Sequence, residues 1–299
     1  MPWPVFDVAN PQAMIQLAGY FKFVAEPGSF VLFRGHRRLH ATCQPTLVRG
    51  RSPNRTVSSL TRSLRQYVDG LMEGKCICRT RVLSGPRYPW FCPERVVRHS
   101  KRNGAGLVAG TPRVAVEPLL QHYGLRTTWV DVVDNIWIAL WFACHEFVAE
   151  RSSSRFDYAH HLKRSMAHDS DATAFVSVIS TGEVSRAEAA GAWFGKKARL
   201  LDLRVAAPSV YVRPHAQHGL LIATATWRTP ASMDVGGLHV ATLRINLGDA
   251  LDWLGDGTML RPFVLFPPAT TDEGYRRLLE FADQPPSSLG KYVVYGPGN

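Results

Sequence analysis

Residues 119–147 read LLQHYGLRTTWVDVVDNIWIALWFACHEF. An imidazole, a phenol, two hydroxyls and two carboxylates stand here between two of the most apolar runs of the chain. Upstream, Glu117-Pro118 opens a short helix that Gly124 can close in a left-handed turn. Residues 127–133 are β-branched and aromatic, which favours a strand, and Asp134 or Asn135 can cap a helix running to about Ala149. The stretch therefore predicts helix, strand, helix, with polar side chains placed inside a core-forming segment.

Working outward, Asn10-Pro11 has the form of an N-cap followed by proline at the first helical position, and Met14, Leu17, Ala18 and Phe21 give the next helix an apolar face. Phe30 to Phe33 form a buried strand that delivers Arg34 at its end. Leu60, Leu64, Val68 and Leu71 follow helical spacing, with Thr56 as a cap and Arg62 and Arg65 on the other face. Residues 74–112 are rich in Gly, Pro and Arg without a sustained period, which predicts a mobile insert. Cys76, Cys78, Cys92 and His99 are zinc-type ligands, but their spacing matches no C-x2-C pair, so free thiols are expected and no metal site.

Beyond the central stretch, residues 151–170 are a polar, His-rich connector. Strands are expected over residues 174–179, 199–204, 220–226 and 239–247, short helices near 185–190 and 249–254, and a helix capped by Thr271 that ends at Phe281. Residues after Gln284 are expected to form a loosely packed tail. The boundaries are then an N-terminal helical segment (1–29), one domain (30–284) with its basic insert, and a tail (285–299).

Composition sets limits on function. The chain of 299 residues is 45% hydrophobic, ample for a packed core. Its longest apolar run, residues 136–144, is far short of the roughly 20 residues of a membrane span, and the N-terminus lacks the pattern of a secretory leader. Five cysteines without a framework fit reduced thiols, so a cytoplasmic location without a membrane partner is expected. Between Arg34 and Arg113 there are 17 Lys and Arg against three acids, a surplus larger than the net charge of +11 for the whole chain. A block of this kind suits nucleic acid, a phosphate-rich ligand or an acidic protein surface.

Several motifs together resemble the FRG domain family. They are Phe33-Arg34-Gly35, a Pro45…Arg49 element, Gln121-His122-Tyr123-Gly124-Leu125, Thr127, Asp131 and Ala139-Leu140-Trp141-Phe142-Ala143. Arg213…Gln217-His218-Gly219 and Leu265-Phe266-Pro267 follow in the same order. The sequence departs from that family at His36, where glutamine is common, and over residues 126–133, which keep Thr127 and Asp131 but lose an arginine and a threonine. The layout is also similar to ADP-ribosyltransferases.

That resemblance implies an α+β fold with a split mixed or antiparallel β-sheet core and flanking helices. It also implies NAD as a substrate and transfer to a nucleic-acid or protein target, as in a toxin or defence effector. Under it, Arg34, His122, Asp131 and Gln217 are the candidate catalytic residues, and Arg34, Gly35, Tyr123, Thr127 and Thr128 bind the dinucleotide. Asp131 is the nearest carboxylate for charge developing on ribose, because Gln217 stands where a glutamate is usual and Glu183 and Glu188 lie outside any motif. Asp131 as a helix cap or a partner of Arg34, and His122 as a core histidine, remain open. So do a binding module without chemistry and hydrolysis of NAD or a phosphodiester.

Overall fold

In the computed structural model, the described residues are 3–50, 56–73, 107–108, 110–150, 156–165, 172–226, 229, 231–255 and 260–295. Most of the basic insert, with Cys76, Cys78, Cys92 and His99, lies outside them.

The fold is α+β. In chain order the elements are β1 (Val5–Asp7), α1 (Pro11–Val24), β2 (Val31–His36), α2 (Thr56–Glu73), α3 (Arg113–His122), β3 (Val130–Val133), α4 (Ile136–Cys144), β4 (His145–Glu150) and β5 (Asp157–Lys163). There follow β6 (Thr173–Ser180), β7 (Val184–Arg186), β8 (Ala192–Gly195), β9 (Ala198–Asp202), α5 (Leu203–Ala206), α6 (Val212–Ala216) and β10 (Gly219–Thr224). The chain continues through β11 (His239–Asn246), α7 (Leu247–Trp253), α8 (Pro262–Leu265), α9 (Glu273–Phe281) and β12 (Val293–Tyr295).

Nine strands form one sheet in the order β1-β11-β6-β2-β3-β10-β9-β8-β7, and β12-β5-β4 form a second. Every inner pairing of the large sheet is antiparallel, and its parallel pair, β1 with β11, lies at the edge. The core is thus antiparallel rather than mixed.

Alternation assigns the central strands to two faces. Val31 and Phe33 of β2 join the cluster under α1, α4 and α7, whereas Leu32 joins Val130, Val132, Leu220 and Ile222 on the opposite face. Farther along the sheet, Leu221 and Ala223 face a third cluster beneath α2 and α3. β2 and β3 meet at Phe33 opposite Val133. That narrow seam between the two halves is where the candidate site opens.

Local chemistry explains the helices that frame it. Asn10 caps α1 by accepting from Ala13 N at 2.8 Å, and Asn135 caps α4 by accepting from Trp137 N at 3.0 Å. Gly35 lets α4 approach β2 closely. A Cβ there would stand 1.9 Å from the Ala139 carbonyl oxygen and 2.7 Å from Ala143 N, so the small residues one turn apart on α4 and the glycine form one contact.

Several expectations are corrected. Helix α3 begins at Arg113 and carries Pro118 in its interior, at the loss of one backbone hydrogen bond. Helix α4 ends at Cys144, and residues 145–150 become β4 because the supposed connector contains its partner β5, with Phe147 opposite His161. The helix near 185–190 is instead the β7–β8 hairpin. Asp272 rather than Thr271 caps α9, accepting from Tyr275 N at 2.9 Å. The tail is anchored: Leu289 and Tyr292 are fully buried, and β12 pairs with β5.

Candidate functional site

A cavity of about 290 Å³ opens at the β2–β3 seam. Its polar side is Arg34, Gln121, His122, Asp131 and Gln217, and its aromatic side is Phe142, Phe147, His161, Phe266 and Tyr295. Arg34, Gly35, His122, Asp131 and Gln217, singled out from the sequence, therefore share one cavity. Among the described residues, ten buried side-chain nitrogen and oxygen atoms lack a hydrogen-bond partner, and five belong to this lining: Arg34 Nε, His122 Nε2, Asp131 Oδ1 and both ring nitrogens of His161. Buried polar groups are ordinarily paired, so this concentration marks where a ligand would complete the network.

Gln217 follows α6 and fixes the state of His122. Its Nε2 donates to the Leu265 carbonyl at 2.8 Å, which leaves Oε1 to face His122 Nδ1 at 2.9 Å. A carbonyl only accepts, so the amide orientation is set and His122 Nδ1 must carry the proton. Burial lowers the affinity of His122 for a second proton and outweighs the Asp131 carboxylate and the Gln217 hydrogen bond that favour it. Neutral His122 thus presents Nε2 as an acceptor 3.8 Å from Asp131 Oδ1.

Neighbouring groups hold this geometry. Gly219 leaves room for the imidazole, since a Cβ there would lie 2.6 Å from His122 Cε1. His218 adopts a left-handed φ of 49°, uncommon for a residue with a side chain, and its Nδ1 lies 3.2 Å from Asp134 Oδ1. Arg204 ties Asp134 to Asp202 with two 2.8 Å contacts. Burial pushes the Asp134 carboxyl up, but Arg204 and His218 hold it below the usual range. Arg34 crosses the seam by donating from Nη1 to the backbone carbonyl of Asp131. Asp131 keeps Oδ1 closed to solvent although its side chain as a whole is about half exposed.

Three candidates lie away from the cavity. Tyr123 is fully buried, donates to Asp272 Oδ2 at 2.8 Å and stacks on Tyr275 with 5.0 Å between centroids. It is a core residue with no face to offer a dinucleotide here. Thr127 donates to Gln121 Oε1, and Thr128 gives both its N–H and its hydroxyl to the half-buried Glu117. Their hydroxyls brace the turn before β3, and Thr128 lines a separate depression with Arg65, Arg113 and Arg199. Gly35 reaches the cavity lining, but its structural task is the approach of α4.

Sequence reading missed His161, Phe147 and Tyr295, which come from strands of the small sheet, and also the setting of Arg213. That arginine is fully buried, donates from Nη1 to the His122 carbonyl at 2.7 Å and lies 4.4 to 4.7 Å from the ring centroids of Tyr275, Tyr295 and Tyr123. Asp131 is the single carboxylate of the described cavity lining. Glu183 lies instead beside Gly28 and Gly195, at the far edge of the sheet.

Among the described residues, no group of three or more His, Cys, Asp or Glu side chains is placed to hold a metal ion, and no helix is long and apolar enough to cross a membrane. Comparison with protein-family models, curated proteins and solved structures found no match.

Proposed function

We propose that the chain binds a nucleotide at this seam and breaks an N-glycosidic bond, as an NAD-dependent enzyme similar to ADP-ribosyltransferases. The observation that carries the proposal is the pair of facing acceptors, neutral His122 Nε2 and Asp131 Oδ1, 3.8 Å apart and without a donor between them. Two acceptors so placed suit a ligand that supplies hydroxyl protons, as ribose does. Arg34 beside them offers a planar donor fork for phosphate, and the aromatic side suits a base. A carboxylate held against the sugar stabilises positive charge that develops there as the base departs, and this is the role of Asp131. The likeness of the Arg34, His122, Asp131 and Gln217 motifs to FRG domains supports the same reading.

The acceptor is a nucleic acid or a protein, for which the basic segment between Arg34 and Arg113 supplies attraction. The test is incubation with labelled NAD and a cell lysate, followed by separate protease and nuclease digestion. Label retained on one class of macromolecule is expected, and Asp131→Asn should lower the rate about 100-fold. NAD at millimolar concentration should also raise Tm through linkage, and Arg34→Ala should remove that rise. Absence of both label transfer and a Tm shift refutes the proposal. Free nicotinamide without a labelled macromolecule would establish hydrolysis instead.

A further inference from the structure

Arg213 places a positive charge directly behind the aromatic side of the cavity. Its guanidinium lies 4.6 Å from the ring centroid of Tyr295 and 5.7 Å from that of Phe266. Both rings line the cavity, whereas Arg213 does not, so they stand between the charge and any ligand. Nε and Nη2 of Arg213 lack a hydrogen-bond partner among the described residues. A guanidinium over a ring is attracted to its π density, and a second cation on the same ring then meets both repulsion and a depleted face.

The cavity already holds one flat nitrogen heterocycle of its own. His161 stacks on Phe266 at 4.2 Å and lies parallel to Tyr295, with 5.7 Å between centroids and 3° between planes. Burial first, then the charges of His145, Arg213 and His160, push its pKa down to about 3. The surroundings thus keep an imidazole neutral at that position, and its two unpartnered nitrogens offer one donor and one acceptor to a neighbouring ring.

We infer that the aromatic half of the cavity is a subsite for a planar nitrogen heterocycle in its neutral form, and that the caged Arg213 sets this preference. The inference rests on the reading that the site breaks an N-glycosidic bond. In NAD the ring is a cationic pyridinium. As the bond between C1′ and the ring nitrogen breaks, its electron pair passes to that nitrogen and the ring leaves neutral. Positive charge moves to the ribose beside Asp131. An acceptor hydroxyl then forms the new C1′–O bond and gives its proton to His122 Nε2. Arg213 behind the base and Asp131 beside the sugar therefore favour the same displacement of charge, stabilising the transition state over the bound substrate. Arg213 is a positioning residue, because it acts through the rings.

The experiment compares nicotinamide with the 1-methylnicotinamide cation on the full chain by isothermal titration, with ADP-ribose as a control for the rest of the site. Nicotinamide should bind about tenfold more tightly than the cation, from two charges separated by one ring at protein-like screening. Tyr295→Leu should weaken nicotinamide about tenfold and leave ADP-ribose within a few-fold. Arg213→Met, where it folds, should abolish the preference between the two rings. Equal or tighter binding of the cation to the wild-type chain, with ADP-ribose still bound, overturns the inference alone. Failure of nicotinamide, ADP-ribose and NAD to bind overturns both it and the proposed function.

Discussion

Replacing His161 by phenylalanine should flatten the pH dependence of stability by a definite amount. Unfolded, the imidazole takes up a proton near pH 6.5; folded, it does so only near pH 3, because it is buried among Phe266, Tyr295 and Phe147 with positive charge nearby. Between those values the unfolded chain holds the extra proton, so stability is complete above 6.5 and falls as the pH drops below it. Each pH unit in that window costs about 1.4 kcal/mol. At pH 5.5 the cost is therefore about 1.4 kcal/mol relative to pH 7.5, and it hardly changes for any folded-state value at or below about 4.5.

Other histidines are depressed as well, among them His36, His122, His145 and His239, so the wild-type curve alone does not isolate this one. The difference between wild type and His161→Phe does. Urea unfolding at the two pH values should show the wild type losing about 1.4 kcal/mol more than the variant, with m unchanged. Parallel losses, within about 0.5 kcal/mol, would refute the argument that burial keeps this imidazole neutral.

Two further substitutions probe the frame of the site. Gly35→Ala forces a Cβ against the backbone of α4, where no side chain can rotate away, and should cost about 3 kcal/mol or more, read as a drop in Tm; a near-wild-type Tm would show that α4 does not need that approach. Gln217→Glu replaces the amide beside His122 Nδ1 by a carboxylate, which favours the imidazolium, so the His122 pKa should rise in an NMR titration, whereas an unchanged value would disprove the role of Gln217 in setting the protonation state.

Short-range signals were legible in the sequence wherever local chemistry decides the structure. Asn10-Pro11, the apolar spacing of α2 and the apolar run ending in Arg34 correspond to α1, α2 and β2. The same signals failed where a distant partner decides. Residues 145–150 contain no proline or glycine to stop α4 but become a strand because β5 lies alongside, and the polar appearance of residues 157–163 gave no sign of that pairing. His161 and Tyr295 were illegible for the same reason, since they reach the cavity only through the small sheet. Tyr123 and Thr127 sit inside a motif with His122, yet successive residues point in different directions, and the structure turns only some of them to the seam.

The pairing of β12 with β5 also orders events in time. Tyr295 reaches the cavity only after a strand 130 or more residues downstream has been made and has zipped onto β5 in parallel register. Contacts between such distant segments are slow to form. The sheet halves, with Arg34, His122 and Asp131, can assemble earlier on the ribosome, but the part of the aromatic wall that Tyr295 supplies cannot. A shortened polypeptide that stops before Tyr292 would keep the polar groups and most of the rings, but lose Tyr295 from the aromatic side together with the strand that pairs with β5.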